Sequence, residues 1–542
     1  MTERRFKHWG WGYEDQQPSM GELERAGAGI REALGFGGEV EAPTPEGAID
    51  LRKPRLKPPE ELGDLFTDDH HERLVHSLGK AYRDVVRGFR GEFESPPDLV
   101  ASPRDESEVE LILDWCEDAG AAVVPYGGGT SVVGGIEARL GDRPVVSLDM
   151  RRLDRVLEVD AESLAARIQA GATGPGLEEQ LKEHGLTLRH FPQSFEYSTL
   201  GGWVATRAGG HFATLYTHID DLVESVRAVT PRGRWESRRL PGSGAGPSPD
   251  RMLIGSEGIL GAITEAWVRI RPRPRFKASR GVEFDDFHAA ARAVRALSQS
   301  GLHPSNCRLL DALEAATTGA GSGDRHLLIL GFESPHHPVD QLLETAIELA
   351  GDHGGGPGEV RSGGQRDGET SGGAVDTWRD AFLAAPYIRD TFVACGVLSE
   401  TFETAITWDR FEQFHADVME AVRAKVAEVC DAPTEGPGAP RISCRFTHVY
   451  PDGPAPYFTV LAPATRGGEV AQWDEVKAAA SEAVIEGGGT ITHHHAVGRD
   501  HRPWYDRQRP DPFAAALRAA KAELDPAAMM NPGVLIEPDG RS

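Results

Sequence analysis

Cysteine is scarce in this sequence, with five residues in a chain of 542. They are Cys116, Cys307, Cys395, Cys430 and Cys444, and no two of them form a C-x-x-C pair. Such an odd and dispersed set argues against a disulfide framework and against a zinc site built on paired cysteines. Reduced thiols of this kind are typical of cytosolic proteins, so we expect a cytoplasmic location.

Long apolar runs are missing as well. No stretch reaches the ~18 consecutive apolar residues that suggest a membrane span. The N-terminal sequence MTERRFKHWGWGYED lacks the apolar centre of a secretory signal. With 39% hydrophobic and 26% charged residues, the chain has the composition of a soluble globular protein.

Basic residues are few compared with acidic ones. The chain has 58 Lys and Arg against 84 Asp and Glu, a net charge of −26. We therefore expect neither nonspecific binding to nucleic acid nor electrostatic attachment to anionic lipid. An anionic substrate would need a local cluster of Arg or His that acts against this overall field.

The chain is too long for one hydrophobic core, so we expect several domains. Residues 1–94 show helical spacing and are expected to form an arm that packs on the body. Short strands and helices alternate over residues 95–275 and again over residues 276–480, which predicts two α+β domains, the second being a cap or substrate domain. Residues 481–542 form a C-terminal segment expected to return to the first domain.

The most informative stretch is PYGGGTSVVGG, residues 125–135, which follows a short apolar strand. Glycine permits positive φ and close approach of the backbone to a ligand. A strand that ends in such a loop presents several backbone N–H groups at one point, which suits a pyrophosphate. Thr130 and Ser131 add hydroxyl donors. The spacing is neither the Rossmann nor the P-loop pattern, and alone it fits a glycine-rich hairpin turn equally well.

Two further segments are equally rich in small residues. FPQSFEYSTLGGWVATRAGG, residues 191–210, carries the hydroxyl pair Ser198 and Thr199, and GSEGILGAI, residues 255–263, contains Glu257 as its only acid. Such density suggests backbone lying against a flat ligand, whereas the alternative is a tight strand crossing. Since we expect all three loops to close strands, a bound dinucleotide is the favoured interpretation.

Three adjacent histidines, His493, His494 and His495, stand in TITHHHAVG. On an extended strand, His493 and His495 would share one face and His494 would point away. Three neighbours cannot easily form a tetrahedral zinc site, so we predict no metal. Acid/base or phosphate-binding work is favoured over a solvated polar loop.

Several other residues stand in apolar contexts where a polar side chain is noteworthy. They are Arg308 in NCRLLD, Arg389 in PYIRDTF, Arg445 in SCRFTHVY and Tyr457 in APYFTV. Most arginines are solvated surface residues, and a strand tyrosine is usually part of the core. Context alone therefore leaves both interpretations open for each of them.

The three glycine-rich segments and DDLVESVRAVTPRG, in this order and spacing, resemble the FAD domain of the vanillyl-alcohol oxidase/p-cresol methylhydroxylase flavoproteins. The resemblance implies the two-subdomain FAD-binding PCMH-type fold. Because the same fold serves lactate and glycolate dehydrogenases, the fold does not determine the reaction.

Further motifs narrow this resemblance. WGWGYED, PYIRDTF, SETFETAITWDR, SCRFTHVYPDGPAPYF and GGGTITHHHAVG are similar to the alkyldihydroxyacetonephosphate synthases over almost the whole chain. The resemblance implies noncovalent FAD and exchange of the acyl group of acyl-dihydroxyacetone phosphate for a long-chain alcohol in ether-lipid synthesis. That reaction is redox-neutral and passes through a flavin N5 adduct.

By position, the resemblance also assigns residues. It implies cofactor contacts for Pro125, Tyr126, Gly127, Gly128, Gly129, Thr130, Ser131, Gln193, Ser194, Ser198, Thr199, Thr206, Arg207, Ala208, Gly209, Glu257, Gly258, Gly261 and Ile263. It implies that Arg389 binds the substrate phosphate, that Tyr457 is catalytic, and that Arg308 and the three histidines are needed for activity. Gln193 departs from the family, which usually has Asp there.

A second function stays open at this point, an FAD-dependent 2-hydroxy-acid dehydrogenase or oxidase. A histidine would then abstract a proton while hydride moves to the flavin. The expected partners are a phosphate or lipid substrate and a long-chain alcohol. Peripheral contact with a membrane and a homodimer also stay open.

Overall fold

The computed structural model describes residues 4–357 and 386–537. Over these residues, helices and strands build a four-stranded, a five-stranded, a two-stranded and a seven-stranded sheet. The predicted α+β class is therefore confirmed. Most of the predicted loop at 351–373 and the N-terminal part of the helix predicted in DTWRDAFLAAPYIRDTF lie outside the described residues.

The N-terminal arm wraps over the body as short helices. They are α1 (Met20–Leu34), α2 (His70–Val75) and α3 (Tyr82–Arg90). α2 and α3 are separate because the chain between them passes over the first glycine loop. The amide of Lys80 donates to Ser131 O at 2.7 Å, and a Cβ on Gly79 would lie 2.4 Å from the same oxygen. Only glycine allows this close approach.

A small, mostly parallel sheet follows the arm. Its elements are β1 (Phe66–Thr67), β2 (Leu99–Ala101), α4 (Glu106–Asp118), β3 (Ala122–Tyr126) and β4 (Val145–Asp149). The strand order is β1-β2-β4-β3, and β4 is parallel to both β2 and β3. The three parallel strands, β2, β3 and β4, are almost entirely buried, as expected for parallel strands covered on both faces. PYGGGTSVVGG begins at the carboxyl end of β3.

An antiparallel sheet forms the second part of this domain. Its elements are β5 (Val156–Asp160), β6 (Ala165–Gln169), α5 (Gly174–Lys182), β7 (Leu186–Thr187), α6 (Leu200–Thr206), α7 (Ala213–Tyr216), α8 (Ile219–Leu222), β8 (Val223–Thr230), β9 (Gly233–Glu236), α9 (Asp250–Leu253), β10 (Ala262–Arg269) and β11 (Arg271–Pro272). The strand order is β5-β6-β10-β8-β9, and β11 pairs separately with β7. Leu177, Trp203 and Ile168 belong to its buried core.

The seven-stranded sheet carries the second half of the chain. Its elements are β12 (Phe276–Phe284), α10 (Phe287–Gln299), β13 (Asn306–Leu310), α11 (Ala312–Thr317), β14 (His326–Ser334), α12 (Asp340–Gly351), β15 (Gly356–Pro357), the helical residues 386–394 (α13), β16 (Val397–Glu403), α14 (Trp408–Val429), β17 (Arg441–Val449), β18 (Pro454–Pro463) and α15 (Glu469–Glu486). The order is β15-β12-β14-β13-β17-β18-β16. The tail adds α16 (Arg502–Gln508) and α17 (Asp511–Leu524).

Two local expectations are wrong. The second and third glycine-rich segments do not close strands, because Gly201 and Gly202 lie in α6 and residues 255–261 lead into β10. The segment with the histidine triplet is not a strand either, since residues 489–497 form bends without strand pairing. Its backbone N–H groups donate to the carboxylate of Glu403 instead of pairing with a neighbouring strand.

The C-terminal segment touches the parallel sheet through a few backbone contacts. Met530 bridges to Val123 of β3, and the amide of Asn531 donates to the Val123 carbonyl at 2.8 Å. The C-terminal segment therefore packs against the strand that leads into the first glycine loop.

Candidate active site

A cavity of about 380 Å³ lies where the glycine-rich segments face the seven-stranded sheet. Most of the predicted cofactor residues are in its wall. They are Pro125, Tyr126, Gly127, Gly128, Gly129, Thr130, Ser131, Gln193, Ser194, Ser198, Thr199, Thr206, Ala208, Gly209, Glu257, Gly258, Gly261 and Ile263. The cavity therefore brings together segments that are up to about 140 residues apart in the chain.

The first two glycine-rich segments pack directly on each other. A Cβ on Gly128 would lie 2.0 Å from Tyr197 O, and one on Gly127 would lie 2.3 Å from Thr199 Oγ1. Because neither position tolerates a side chain, both residues contribute only backbone to the cavity wall. That is the surface a flat or phosphate-bearing ligand requires.

The hydroxyl pair of the second segment also has structural contacts. Thr199 is the N-cap of α6, and its Oγ1 accepts the amide of Gly202 at 3.3 Å. Ser198 Oγ donates to Ser194 O at 2.8 Å and accepts the indole N–H of Trp203 at 2.7 Å. These bonds hold the segment against the cavity before any ligand contact is made.

Arg207 is the predicted cofactor residue that the structure does not bring to the cavity wall. Its backbone adopts φ 55° at the end of α6, and its guanidinium pairs with Asp220 at 3.0 Å. The side chain is 60% exposed. The prediction of a cofactor contact for its side chain therefore has no geometric support.

Glu257 lines the cavity, but its carboxylate binds the protein itself. It accepts the amides of Val497 at 2.9 Å and Gly498 at 2.8 Å. Burial raises the pKa of Glu257 to about 7, against the lowering effect of these two amides. The residue thus attaches the segment after the histidine triplet to the third glycine-rich segment.

The opposite wall of the cavity is built from three adjacent strands. Glu403 on β16 stands opposite Tyr457 on β18, and Tyr457 stands opposite Arg445 on β17. Opposite residues in an antiparallel pair have side chains on the same face, about 4.5–5.5 Å apart at Cβ. The sheet register therefore sets these three side chains in a row.

Arg445 and Tyr457 form the centre of this wall. The guanidinium carbon of Arg445 lies 3.9 Å from the centroid of the Tyr457 ring, and both residues are buried. Arg445 also forms a short ion pair with Glu314 of α11. Burial alone would lower the pKa of Arg445, but the Glu314 carboxylate raises it above its ordinary value. The ring of Tyr457 therefore faces a permanently charged cation.

Glu403 organises the histidine triplet. Its carboxylate accepts the backbone amides of His493, His494 and His495 at 2.8, 3.1 and 3.0 Å. Burial would raise the pKa of Glu403, but the adjacent histidines hold it well below its ordinary value. The carboxylate therefore stays ionised, and the chain curls around it rather than extending as a strand.

The expected orientation of the triplet is consequently wrong. His494 and His495 both line the cavity with Tyr457, with ring centroids 6.4 and 5.6 Å from the tyrosine ring. His493 points to the other side, where its Nε2 lies 2.7 Å from the hydroxyl of Tyr450. Burial lowers the pKa values of His493 and His495 well below the ordinary value, against the raising effect of the nearby Glu403 carboxylate.

His448 completes a group of three histidines whose ring nitrogens lie within 4.8 Å of one another, His448, His493 and His494. Neutral imidazoles at this spacing are metal ligands in other proteins. Here, however, Nε2 of His448 bonds to Gly210 O at 2.9 Å and its Nδ1 to Thr447 Oγ1 at 3.1 Å. Since protein groups occupy both nitrogens, we assign no metal to this group.

The remaining predicted residues lie on either side of the cavity. Arg389 of α13 lines it and donates to Lys80 O at 3.0 Å and to Thr401 Oγ1 at 3.3 Å. Arg308 is buried in a small adjoining cavity, which Gln193, Arg445 and Tyr457 also line. Burial, with Arg445 nearby, lowers the pKa of Arg308 to about 9.

Several buried polar atoms in the cavity wall have no partner among the described residues. They include Trp11 Nε1, Thr459 Oγ1 and Asn531 Oδ1. Asn531 is fixed, because its Nδ2 donates to Gly135 O at 3.1 Å and to Glu257 O at 2.7 Å. Buried polar groups are normally hydrogen-bonded, so these atoms fit a polar ligand such as a flavin.

Two known protein-family domains match this chain. Residues 97–237 match the FAD binding domain, and residues 273–535 match the C-terminal domain of FAD linked oxidases. The fold and the site thus define a flavoprotein of the FAD-linked oxidase class, with FAD as its cofactor.

Relatives and solved structures narrow the class. Alkyldihydroxyacetonephosphate synthase of Dictyostelium discoideum is 31% identical, over 88% of this chain and 79% of the relative. A solved structure of an alkyldihydroxyacetonephosphate synthase is 27% identical, with a TM-score of 0.78, covering 97% of this chain and 98% of the other. A glycolate oxidase subunit of Bacillus subtilis is 26% identical, over 88% of this chain and 95% of the relative. The chain belongs to the alkyldihydroxyacetonephosphate synthase family, and the oxidase relative is more distant.

Sequence analysis did not identify four residues that contact residues of this site, namely Glu403, Glu314, Tyr450 and His218. Each is one acidic, hydroxyl or imidazole side chain in a common context, with no local spacing that marks it. Two of them lie in motifs that resemble the family, Glu403 in SETFETAITWDR and Tyr450 in SCRFTHVYPDGPAPYF. Among the described residues, no helix combines the length and apolar character needed to cross a bilayer.

Proposed function

We propose that this enzyme exchanges the acyl group of acyl-dihydroxyacetone phosphate for a long-chain alcohol, without net oxidation or reduction. One observation carries the proposal. The cavity that the glycine-rich segments line is also lined by Tyr457, which packs under the Arg445 guanidinium and beside His494 and His495. A proton donor and acceptor, a fixed cation and the segments proposed to bind the flavin thus line one cavity.

The phosphate of the substrate needs fixed positive charge. Arg389 supplies it at the cavity wall, held in place by its bonds to Lys80 O and Thr401 Oγ1. The planar guanidinium can bind phosphate oxygens through paired N–H groups. The charge of Arg445 is largely taken up by Glu314, so we assign the phosphate to Arg389 and the ring contact to Arg445.

The proton chemistry falls to the wall opposite the flavin loops. Tyr457, His494 and His495 can move a proton at the carbon that bears the ester, since these side chains lie in one part of the cavity. Glu403 keeps the two histidines in this position through their backbone. FAD, when bound by the glycine-rich segments, supplies an electron-accepting ring.

The apolar chains of both substrates need an opening. Ile388 and Phe392 of α13 line the cavity, and Ile388 is 42% exposed. We assign the chain entrance to this edge, where peripheral contact with a membrane would bring lipid substrates close. A noncovalent flavin is also proposed, since PYGGGTSVVGG contains neither His nor Cys.

The alternative, oxidation of a 2-hydroxy acid, uses the same flavin and the same histidines. It is less favoured because the synthase relative is more similar to this chain than the glycolate oxidase subunit is. It predicts flavin reduction by substrate, whereas acyl exchange predicts none.

One experiment separates the two functions. Purified holoenzyme receives acyl-dihydroxyacetone phosphate and a radiolabelled fatty alcohol, with and without an electron acceptor. We expect labelled ether product and free fatty acid in equal amounts, independent of the acceptor. Bleaching of the flavin by lactate or glycolate, without exchange, would establish the oxidase instead. Acid precipitation should release the FAD into the supernatant.

Two tyrosine variants test the assignment of the chemistry. Tyr457→Phe should retain flavin and lose exchange, by a factor on the order of 10²–10⁴ for a lost proton-transfer group. Tyr505→Phe is the matched control, because it removes a hydroxyl from a residue that packs on the flavin-domain core outside the cavity. Unchanged turnover in Tyr457→Phe would remove this residue from the mechanism.

A further inference from the structure

The proposed exchange requires that a proton leave the cavity. The ester C–O bond at the dihydroxyacetone carbon breaks, and the acyl group leaves as a carboxylate with the bonding electron pair. The alcohol oxygen forms the new C–O bond and gives up its proton. No electrons are gained or lost. Since a carboxylic acid is ionised near pH 7, every turnover releases one proton inside the cavity.

A continuous line of hydrogen bonds leads away from this site. His494 lines the cavity, and its Nδ1 lies 3.0 Å from Nδ1 of His493. Nε2 of His493 lies 2.7 Å from the hydroxyl of Tyr450, and that hydroxyl forms a short hydrogen bond with Nε2 of His218. The line thus crosses from the seven-stranded sheet to the flavin domain.

The geometry points to a proton relay, His494–His493–Tyr450–His218, that carries the released proton from the cavity to the outer side of the flavin domain. This inference rests on the proposed function, because acyl exchange is the reaction that releases the proton. Tyr450 and His218 are not among the described residues that line the cavity, so they act through His493 and His494.

Each member has the chemistry that a relay needs. The imidazole of His493 is bonded through both ring nitrogens, so it can accept a proton at Nδ1 and release one from Nε2. The hydroxyl of Tyr450 can accept from His493 and donate to His218. Burial keeps the pKa of Tyr450 above its ordinary value, so the phenol passes protons without a lasting negative charge.

The outer end of the relay can release the proton. His218 is partly exposed, and it stands next to the exposed Thr217. Burial lowers the pKa of His218, while the carboxylate of Asp220 acts in the opposite direction. As a partly exposed imidazole at the end of the line, His218 can pass the proton to solvent.

The test uses holoenzyme and the exchange assay. Tyr450→Phe keeps the ring and removes the connecting hydroxyl, and His218→Ala removes the outer group. We expect both to bind flavin normally and to lose kcat, on the order of 10²-fold, with little change in KM. Added imidazole should restore turnover in His218→Ala but not in Tyr450→Phe. Tyr505→Phe remains the control.

The outcomes are distinct. Unchanged kcat in both variants overturns the relay. A loss in His218→Ala that imidazole does not restore also overturns it, because it shows a merely structural role. If one variant fails to fold, judged by its flavin content, the other decides.

A second readout separates the relay from the reaction. Slowly exchanging ring N–H protons of hydrogen-bonded histidines are visible in proton NMR spectra of the holoenzyme. Tyr450→Phe should remove or shift signals of His218 and His493, and unchanged signals contradict the hydrogen-bond line. Lack of exchange by the unaltered enzyme refutes the proposed function, and the NMR result then decides whether the line exists.

Discussion

The backbone amide of His494 donates to both carboxylate oxygens of Glu403, at 3.1 and 3.2 Å. The neighbouring residues of the triplet donate to the same carboxylate. A single buried anion on the edge strand of the seven-stranded sheet thus sets the position of the segment that lines the cavity opposite the glycine-rich segments.

Glu403→Gln should therefore lower both stability and turnover. The amide nitrogen of Gln cannot accept an N–H, and leaving buried donors unsatisfied costs about 1–3 kcal/mol. We expect the segment with the histidine triplet to move and the rate of acyl exchange to fall.

Glu400→Gln is the matched control, because Glu400 is a buried carboxylate on the same strand that binds Lys477 and Trp473. Both variants should melt earlier in thermal unfolding, and only Glu403→Gln should lose activity beyond its loss of folded protein. Equal activities would contradict the organising role.

Arg445→Lys tests the contact between the guanidinium and the Tyr457 ring. Lysine can still pair with Glu314 but cannot lie flat over the ring. A buried cation–π contact is worth about 2 kcal/mol, which corresponds to roughly 30-fold in kcat/KM. Arg239→Lys is the control, since Arg239 lies over the Trp267 ring at 4.3 Å and pairs with Glu224, outside the cavity. A normal rate in Arg445→Lys would show that charge alone suffices.

Arg389→Met should weaken substrate binding selectively. Loss of charge-assisted bonds to the phosphate, worth about 1.5–3 kcal/mol, should raise KM by about 10–100-fold while flavin content stays normal. Arg410→Met removes an exposed guanidinium that donates to Gly487 O at 2.7 Å, and should leave KM unchanged. The measurement is steady-state kinetics with varied phosphate substrate. A fall in flavin content rather than a rise in KM would place Arg389 in cofactor binding.

The N-terminal arm is attached next to Arg389 by a buried ion pair. Lys7 Nζ lies 2.6 Å from Asp390, with both side chains less than 5% exposed, and the amide of Trp11 donates to the same carboxylate at 2.9 Å. Asp390→Asn leaves the ammonium of Lys7 buried without a counter-charge, which costs about 3–5 kcal/mol. We expect early proteolytic cleavage of the arm and a higher KM.

The double variant Lys7→Met, Asp390→Asn provides the control for that prediction. It removes the unpaired charge, so it should recover much of the lost stability. If Asp390→Asn resists protease as well as the unaltered protein does, the ion pair does not hold the arm.

Acid should destabilise the region after the first glycine loop through Glu137. Burial would raise its pKa, but Arg87 and Arg139 lower it to about 2 from an ordinary 4.5. Because the folded pKa is lower than the unfolded one, the stabilisation is complete above 4.5 and is lost as the pH falls toward 2. The contribution is about 3 kcal/mol. Tm measured against pH should fall less steeply in this window for Glu137→Gln, and parallel curves would contradict the prediction.

Local sequence was sufficient where the chemistry depends on neighbouring residues. The first glycine loop was recognisable because glycine and small hydroxyl residues have few other uses at that density, and the structure places every predicted residue of PYGGGTSVVGG through Ser131 at the cavity. The flavin class was predicted from such segments, and the family comparisons confirm it. The individual site residues stay predictions until variants are measured.

Sequence alone did not determine the orientation of the histidines. An extended strand would place His493 and His495 on one face, whereas His494 and His495 face the cavity. The strand assumption failed because Glu403, about 90 residues earlier, accepts the amides that a strand would use for pairing. Likewise, Tyr450 and His218 are 232 residues apart, and no local pattern connects them.

The sequence by itself thus determined the α+β class, the FAD cofactor and the family, because these depend on runs of neighbouring residues with particular backbone and side-chain properties. Only the tertiary structure decided which side chains meet. The row Glu403–Tyr457–Arg445 follows from strand register, and the line from His494 to His218 follows from the packing of two domains. Such contacts are set by long-range pairing and burial, which no local stretch of the chain specifies.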